Sequence, residues 1–309
     1  MLTAYLAPLG FEKDLEAELR LRGIIVSEKF DRLFLTEAPV RDIVFAQDTW
    51  EEVVMIDFAS ISDGANKIKE HGSRFQHYPI KNIRRAELIL EKLPRVRIKK
   101  YDFLEAIPEG QLSAFSLLSE NKAIVAKKTC SPLPFGEINF NEDKLNPPSR
   151  AYLKLWELFT LYGYKPNKGD QVMDLGACPG GWTWVLANMG CDVLSVDKAP
   201  LDPKIMAMPE VKFLQESAFG LRPSHVGAKS WLFSDIICYP HKLLELVNRW
   251  RESNLVQNYA CTIKFQSPTD FETMFKFMEI PGSRVIHLSC NKHEVTWVNC
   301  EETRKDDSV

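Results

Sequence analysis

The sequence predicts an α/β fold class: a doubly wound sheet in the second half of the chain, preceded by a smaller α+β region. Three observations carry this. After residue 150, short apolar runs alternate with segments of helical period. A glycine-rich turn, MDLGACPGGW, closes the first of those runs. A stretch rich in proline and asparagine, residues 130–150, separates the two halves.

Taken in order, the first half opens with the strand-like run LTAYLA, a helical segment from Phe11 to Leu21 and a second run, DRLFLTE. A strand over Val53–Phe58 follows, then a helical stretch through a basic region, then a strand near Ala123–Val125. The stretch CSPLPFGEINFNEDKLNPPSR favours turns and extended backbone, which places the domain boundary at 145/146. Beyond it, Ser149–Leu161 has helical spacing through Leu153, Leu155, Trp156 and Phe159. QVMDLGA reads as a buried strand, WTWVLANMG as a helix and DVLSVDK as the next strand. WLFSDIICYP and YACTIKFQ are further strands, and HKLLELVNRWRE and DFETMFKFME are helices. RVIHLSCN and EVTWVNC, only a few residues apart, predict an antiparallel hairpin at one edge, and EETRKDDSV (301–309) a polar tail outside the fold.

Composition bounds the function class. With 45% hydrophobic and 26% charged residues, the 309-residue chain is globular and long enough for two cores. The 7 cysteines form no C-x-x-C pair, and their odd number at irregular spacing argues against both a disulfide framework and a zinc ribbon. A reducing compartment is expected. The opening MLTAYLAPLGFEKDLEAEL has no basic n-region and soon turns acidic, so a cytoplasmic location without membrane association is expected. The net charge of -3 conceals an uneven distribution: residues 1–66 carry about -7, residues 67–100 about +8. The basic stretch also holds Phe75, His77 and Tyr78, a mixture suited to phosphate contacts and base stacking.

The glycine turn narrows the ligand. Gly176, Gly180 and Gly181 do not fit G-x-G-x-x-G, and no lysine plus Ser/Thr completes a phosphate loop, so a pyrophosphate cradle is disfavoured. Such a turn suits a ligand with an amino-acid-like group and a ribose. Asp197, at the end of the next strand, stands where a carboxylate accepts ribose hydroxyls. S-adenosyl-L-methionine has both parts.

DLGACPGGW resembles the D-L-G-A-x-P-G-G-W signature of the FtsJ-like ribose 2′-O-methyltransferases, which use S-adenosyl-L-methionine. The resemblance implies that Cys178, Pro179, Gly180, Gly181 and Trp182 line the methionine end of the cofactor and that Asp197 holds its ribose. It implies four further residues, for which the candidates are Lys154 in SRAYLKL, Asp235 in FSDIICYP, Lys264 in CTIKFQ and Glu294 in HEVTWV. A ribose hydroxyl has a pKa far above 7, so its attack on a sulfonium methyl needs a base. A lysine can serve where burial or a second cation disfavours its ammonium. By the resemblance Lys264 is the general base, Lys154 positions the hydroxyl, and Asp235 and Glu294 orient the lysines, with Asp235 also beside the cofactor. Ser149 carries over as a cofactor contact, its alternative being a helix N-cap.

Nearly the whole chain resembles the bacterial ribosomal RNA large subunit methyltransferase M family. GFEKDLEAEL is similar to that family's G-F-E-K-E opening, IVFAQDTW to its F-A-R-Q-W segment, and NKHEVTWV to its R-E-E-V-T-V-H-V hairpin. The resemblance implies a THUMP-like RNA-binding region at 1–145 and a Rossmann-like methyltransferase domain at 146–300. It implies a cytidine 2′-hydroxyl of 23S rRNA as acceptor; an enzyme acting on an in-chain ribose must splay out its target nucleotide, and walls near Tyr239 are candidates to receive the base. The chain is shorter than the family, and where the family has an adenine-contacting acid it reads QESAFGL, which puts Ser217 at the matching position and Glu216 beside it. Two other readings stay open at this point. One is a catalytically idle RNA-binding or ribosome-assembly factor; the other is a methyltransferase acting on a base or a protein, although SDIICYP lacks the N/D-P-P-Y/F run of base-amine enzymes.

Overall fold

The computed structural model describes residues 2–302, which fall into two compact units that divide after Asn141. Of the expected polar tail, residues 303–309 lie outside the described residues.

In the first unit, β1 (Leu2–Leu6), β2 (Val26–Phe30), β3 (Leu33–Thr36), β4 (Asp48–Asp57), β5 (Phe75–His77), β6 (Ser113–Leu117) and β7 (Lys122–Thr129) form one sheet, ordered β2-β3-β1-β4-β7-β6-β5. Helices α1 (Glu12–Leu21), α2 (Ile61–Lys69) and α3 (Ile83–Leu90) accompany it. Strand alternation divides the apolar residues between two cores. Phe115, Leu117 and Val125 pack with Ala65 and Ile68 of α2 and Ala86 and Ile89 of α3, whereas Ala114, Ile124 and Ala126 pack with Ala4, Leu6 and Trp50. One expectation is overturned here. Phe75, His77 and Tyr78, read as rings for base stacking, are 0%, 8% and 3% exposed and belong to the interior, because the segment carrying the first two is a sheet strand. The cations around them are placed differently: Arg84, Arg95, Arg97, Lys99 and Lys100 are exposed.

The second unit contains α4 (Tyr152–Tyr162), β8 (Gln171–Leu175), α5 (Gly181–Asn188), β9 (Asp192–Asp197), α6 (Pro203–Met206), β10 (Val211–Gln215), α7 (Pro223–Val226), β11 (Lys229–Ser234), α8 (Pro240–Glu252), β12 (Val256–Lys264), α9 (Phe271–Met278), β13 (Ser283–Ile286) and β14 (Glu294–Asn299). Its sheet runs β10-β9-β8-β11-β12-β14-β13. The strands from β10 to β12 are parallel, and β14 pairs antiparallel with both β12 and β13, so β13–β14 is a hairpin at one edge. This is a Rossmann-like sheet. The chain moves outward from β8 to β10 and then returns to the other side of β8 as β11, leaving a crevice at the carboxyl ends of β8 and β11. Among the described residues, no helix is long and apolar enough to cross a membrane.

Candidate active site

Strand ends and one helix bring the predicted residues together. β11 stops at Ser234, whose ladder partner on β12 is Cys261, so Asp235 and Lys264 emerge at the same rim of the sheet. Lys264 lies directly opposite Glu294 in the antiparallel ladder, and α4 carries Lys154 across them. Lys154 Nζ is 2.9 Å from Asp235 Oδ1 and 2.6 Å from Glu294 Oε1. Lys264 Nζ is 3.0 Å from Asp235 Oδ1 and donates to the Asp235 carbonyl oxygen at 2.7 Å. All four charges thus form one cluster. Burial acts most strongly on Lys154 and pulls its pKa down, but Asp235 and Glu294 together outweigh it, so the pKa stands above the ordinary lysine value. Lys154 is therefore a fixed ammonium at neutral pH.

Beside this cluster the glycine turn opens a cavity of about 290 Å³, lined by Ser149, Gly181, Trp182, Asp197, Asp235 and Lys264 among others. Gly180 is the N-cap of α5 with φ +112°, where a side chain would be strained. A Cβ on Gly181 would stand 2.5 Å from Ser149 Oγ. Cys178 and Pro179 also line the cavity, and the Cys178 amide donates to Asp197 Oδ2 at 3.0 Å, which ties the turn to the end of β9. Trp182 is buried and donates through Nε1 to the Ala151 carbonyl at 3.0 Å.

Two polar atoms at this cavity are buried without a protein partner: Ser149 Oγ and Asp174 Oδ1. An orphaned polar atom is costly unless a ligand or water meets it. The α4 N-cap is Ala151, with no side-chain capping bond, so Ser149 does not serve as the cap. Asp174 Oδ2 accepts from Thr183 Oγ1 at 2.7 Å, but burial of the group pushes its pKa up to about 7. Its carboxylate is a place for a cation. A donor with an amino group, a ribose and a sulfonium fits a cavity whose wall offers the Asp174 and Asp197 carboxylates and the unpartnered Ser149 hydroxyl.

The Asp174 shift carries a prediction with a definite sign. Between about pH 4 and 7 the folded protein keeps a proton that the unfolded chain releases, so stability falls as pH rises through that window and levels off above it. Asp174→Asn should flatten this fall. Melting temperatures measured across that range without donor would show it, and an unchanged slope would mean that Asp174 ionises without penalty.

A second cavity, of about 900 Å³, adjoins the first, the two sharing Ala151, Ile237 and Lys264. Lys154, Lys264 and Glu294 line it at one end, with Phe265, Lys292 and His293 from the strand ends and the β13–β14 connection. Gly180, predicted to line the cofactor, lies in the turn but lines neither cavity, and two further predicted positions lie elsewhere. Ser217 is half-buried beyond β10 and does not line the first cavity, because the chain turns after Gln215. Tyr239, read as a wall for a base, is 56% exposed, stacks on His241 at 5.8 Å and lines neither cavity.

Sequence reasoning missed Glu157, one turn after Lys154. Its buried carboxylate accepts from the Ser289 amide at 2.9 and 3.0 Å and from Ser289 Oγ at 2.9 Å, fixing the loop that walls the larger cavity. An acid inside the apolar run LKLWELF was its signal.

Residues 147–237 match the family model of the FtsJ-like methyltransferases. The chain is similar to the ribosomal RNA large subunit methyltransferase M of Shewanella frigidimarina, 31% identical over 142 residues that cover 44% of this chain and 39% of that protein. The protein of the same name from Shewanella sp. strain MR-4 is 30% identical over 159 residues, 47% of this chain and 44% of that one. The matched part spans well under half the length of these curated relatives. Among solved structures, a ribosomal RNA methyltransferase of Plasmodium falciparum aligns with a TM-score of 0.38 at 19% identity, over 49% of this chain and 96% of that one. Aeropyrum pernix fibrillarin, solved with S-adenosyl-L-methionine, aligns with a TM-score of 0.32 at 14% identity, over 43% and 67%.

Proposed function

We propose that this chain is an S-adenosyl-L-methionine-dependent methyltransferase acting on a ribose 2′-hydroxyl of RNA, with large-subunit ribosomal RNA as substrate and cytidine as the acceptor nucleotide. The observation that carries this reading is the Lys154–Asp235–Lys264–Glu294 cluster at the junction of two cavities, one suited to a donor and the other large enough for nucleotides. The matches to relatives named for ribosomal RNA methylation support the substrate class.

When bound, S-adenosyl-L-methionine supplies an electrophilic methyl group on a cationic sulfur. Lys264, which faces both cavities, takes the hydroxyl proton. Lys154 stays charged between its two carboxylates and donates a hydrogen bond that fixes the hydroxyl oxygen. Asp235 holds both ammonium groups through one oxygen, and Glu294 holds Lys154 from the other side. Positioning of the hydroxyl for in-line attack contributes most of the acceleration. Residues 1–145 act as a THUMP-like RNA-binding region, for which the exposed cations Arg84, Arg95, Arg97, Lys99 and Lys100 offer phosphate contacts.

Incubation with methyl-labelled donor and total ribosomal RNA, followed by alkaline hydrolysis, tests this reading. A methylated 2′-oxygen cannot attack the neighbouring phosphodiester, so the label should remain in an alkali-resistant dinucleotide. Label released on a mononucleotide would mean base methylation. Tight RNA binding without any transfer would establish an idle binding factor instead.

A further inference from the structure

We infer that His293 is the platform on which the acceptor base stacks, so that the β13–β14 connection fixes the target nucleotide; this rests on the ribose methyltransferase reading. A 2′-hydroxyl that meets Lys264 carries its base into the adjoining volume, which is the larger cavity. Of the residues lining that cavity, Phe265 and His293 carry rings. Phe265 is 6% exposed, too buried to offer a face, whereas His293 is partly exposed.

The His293 ring is held in place before any RNA arrives. Phe265 packs against it in a tilted arrangement, 5.3 Å and 50° between the rings, and the Phe265 amide donates to the His293 carbonyl at 3.0 Å. Thr269 Oγ1 lies 2.8 Å from His293 Nε2, which fixes the rotation of the ring. A ring locked in advance loses little freedom when a base stacks on it. The exposed ammonium of Lys292, the preceding residue, can meet a flanking phosphate. Stacking tolerates any base, so His293 selects an unstacked nucleotide rather than a sequence.

Steady-state transfer to ribosomal RNA should show a KM for RNA about tenfold higher in His293→Ala, with kcat at saturating RNA changed less. His293→Phe, which keeps an aromatic face, should recover most of the loss. His293→Asn, which keeps a polar partner for Thr269 but no ring face, should resemble alanine; the reverse order, with asparagine active and phenylalanine impaired, would make His293 a structural anchor and overturn the inference. A binding readout independent of transfer uses the full chain with S-adenosylhomocysteine and a single-stranded RNA tetranucleotide, following the histidine ring resonances by NMR. The signal missing from His293→Phe identifies His293, and stacking should shift it upfield. RNA that binds and leaves this signal unmoved would refute the platform. If wild type transfers nothing to ribose while the signal still shifts, the enzymatic reading falls and the platform stands.

Discussion

Lys264→Ala is expected to lower methyl transfer about 10²–10⁴-fold while donor affinity changes by no more than a few-fold. Lys264 lines both cavities at the strand end where they meet, so it is placed to touch a donor and an acceptor together. Lys154 lines the larger cavity and is held by two carboxylates that keep it charged, which leaves proton abstraction to Lys264. Lys264→Arg separates the possible roles. A guanidinium keeps the positive charge and the bond to Asp235, but it does not lose its proton under these conditions. If Lys264 works as a base, arginine should be nearly as slow as alanine. Single-turnover rates with labelled donor, alongside calorimetric titration of S-adenosylhomocysteine, make the comparison. An arginine variant retaining more than about a tenth of the wild-type rate would show that charge at this position matters and proton removal does not.

The parts of this architecture legible in the sequence are those fixed by local chemistry. MDLGACPGGW could be read because a tight strand-to-helix turn admits few residue types: Gly180 has a left-handed φ, and a Cβ on Gly181 would crowd Ser149 Oγ. Asp235 and Lys264 were readable because a charge after a strongly apolar strand run falls at a strand end, where a doubly wound sheet places its ligands. Of the strands that escaped reading, β5 lies in the basic stretch read as helical, and three others have weak patterns for physical reasons. β2 is VSEKF with its three middle residues exposed, and β10 is a half-exposed edge strand, so neither shows the apolar run of a buried strand. β6 is fully buried, but its SAFSL mixes serines into the run. The walls of the larger cavity were out of reach for another reason. Phe265 and His293 become neighbours through the β12–β14 ladder, and a histidine in NKHEV looks like any turn residue until that pairing is known.

A second large effect is expected at Lys154, and it should appear in stability as well as in rate. The residue is 7% exposed, and its ammonium lies within 3 Å of both Asp235 and Glu294. Lys154→Met keeps much of the packing volume and removes the charge. Asp235 still has Lys264 at 3.0 Å, but Glu294 keeps only a long 3.5 Å bond from the Lys292 amide. Removing one partner of a buried pair strands the other, which typically costs about 3–5 kcal/mol. The cost should belong to the stranded carboxylate rather than to the lost methylene contacts, and the double variant Lys154→Met/Glu294→Gln decides this. If stranding dominates, the double variant is more stable than Lys154→Met alone, because the amide carries no charge to desolvate. The wild-type protein should show the matching alkaline behaviour. The pKa of Lys154 is raised on folding, so its contribution is fully present below the ordinary lysine value of 10.5 and is lost as pH rises through the higher folded value. Urea unfolding at neutral pH and above pH 10.5 measures both effects. A double variant less stable than Lys154→Met would mean that Glu294 is held by something other than this ammonium, and the four-charge cluster would then not be the unit that places the base.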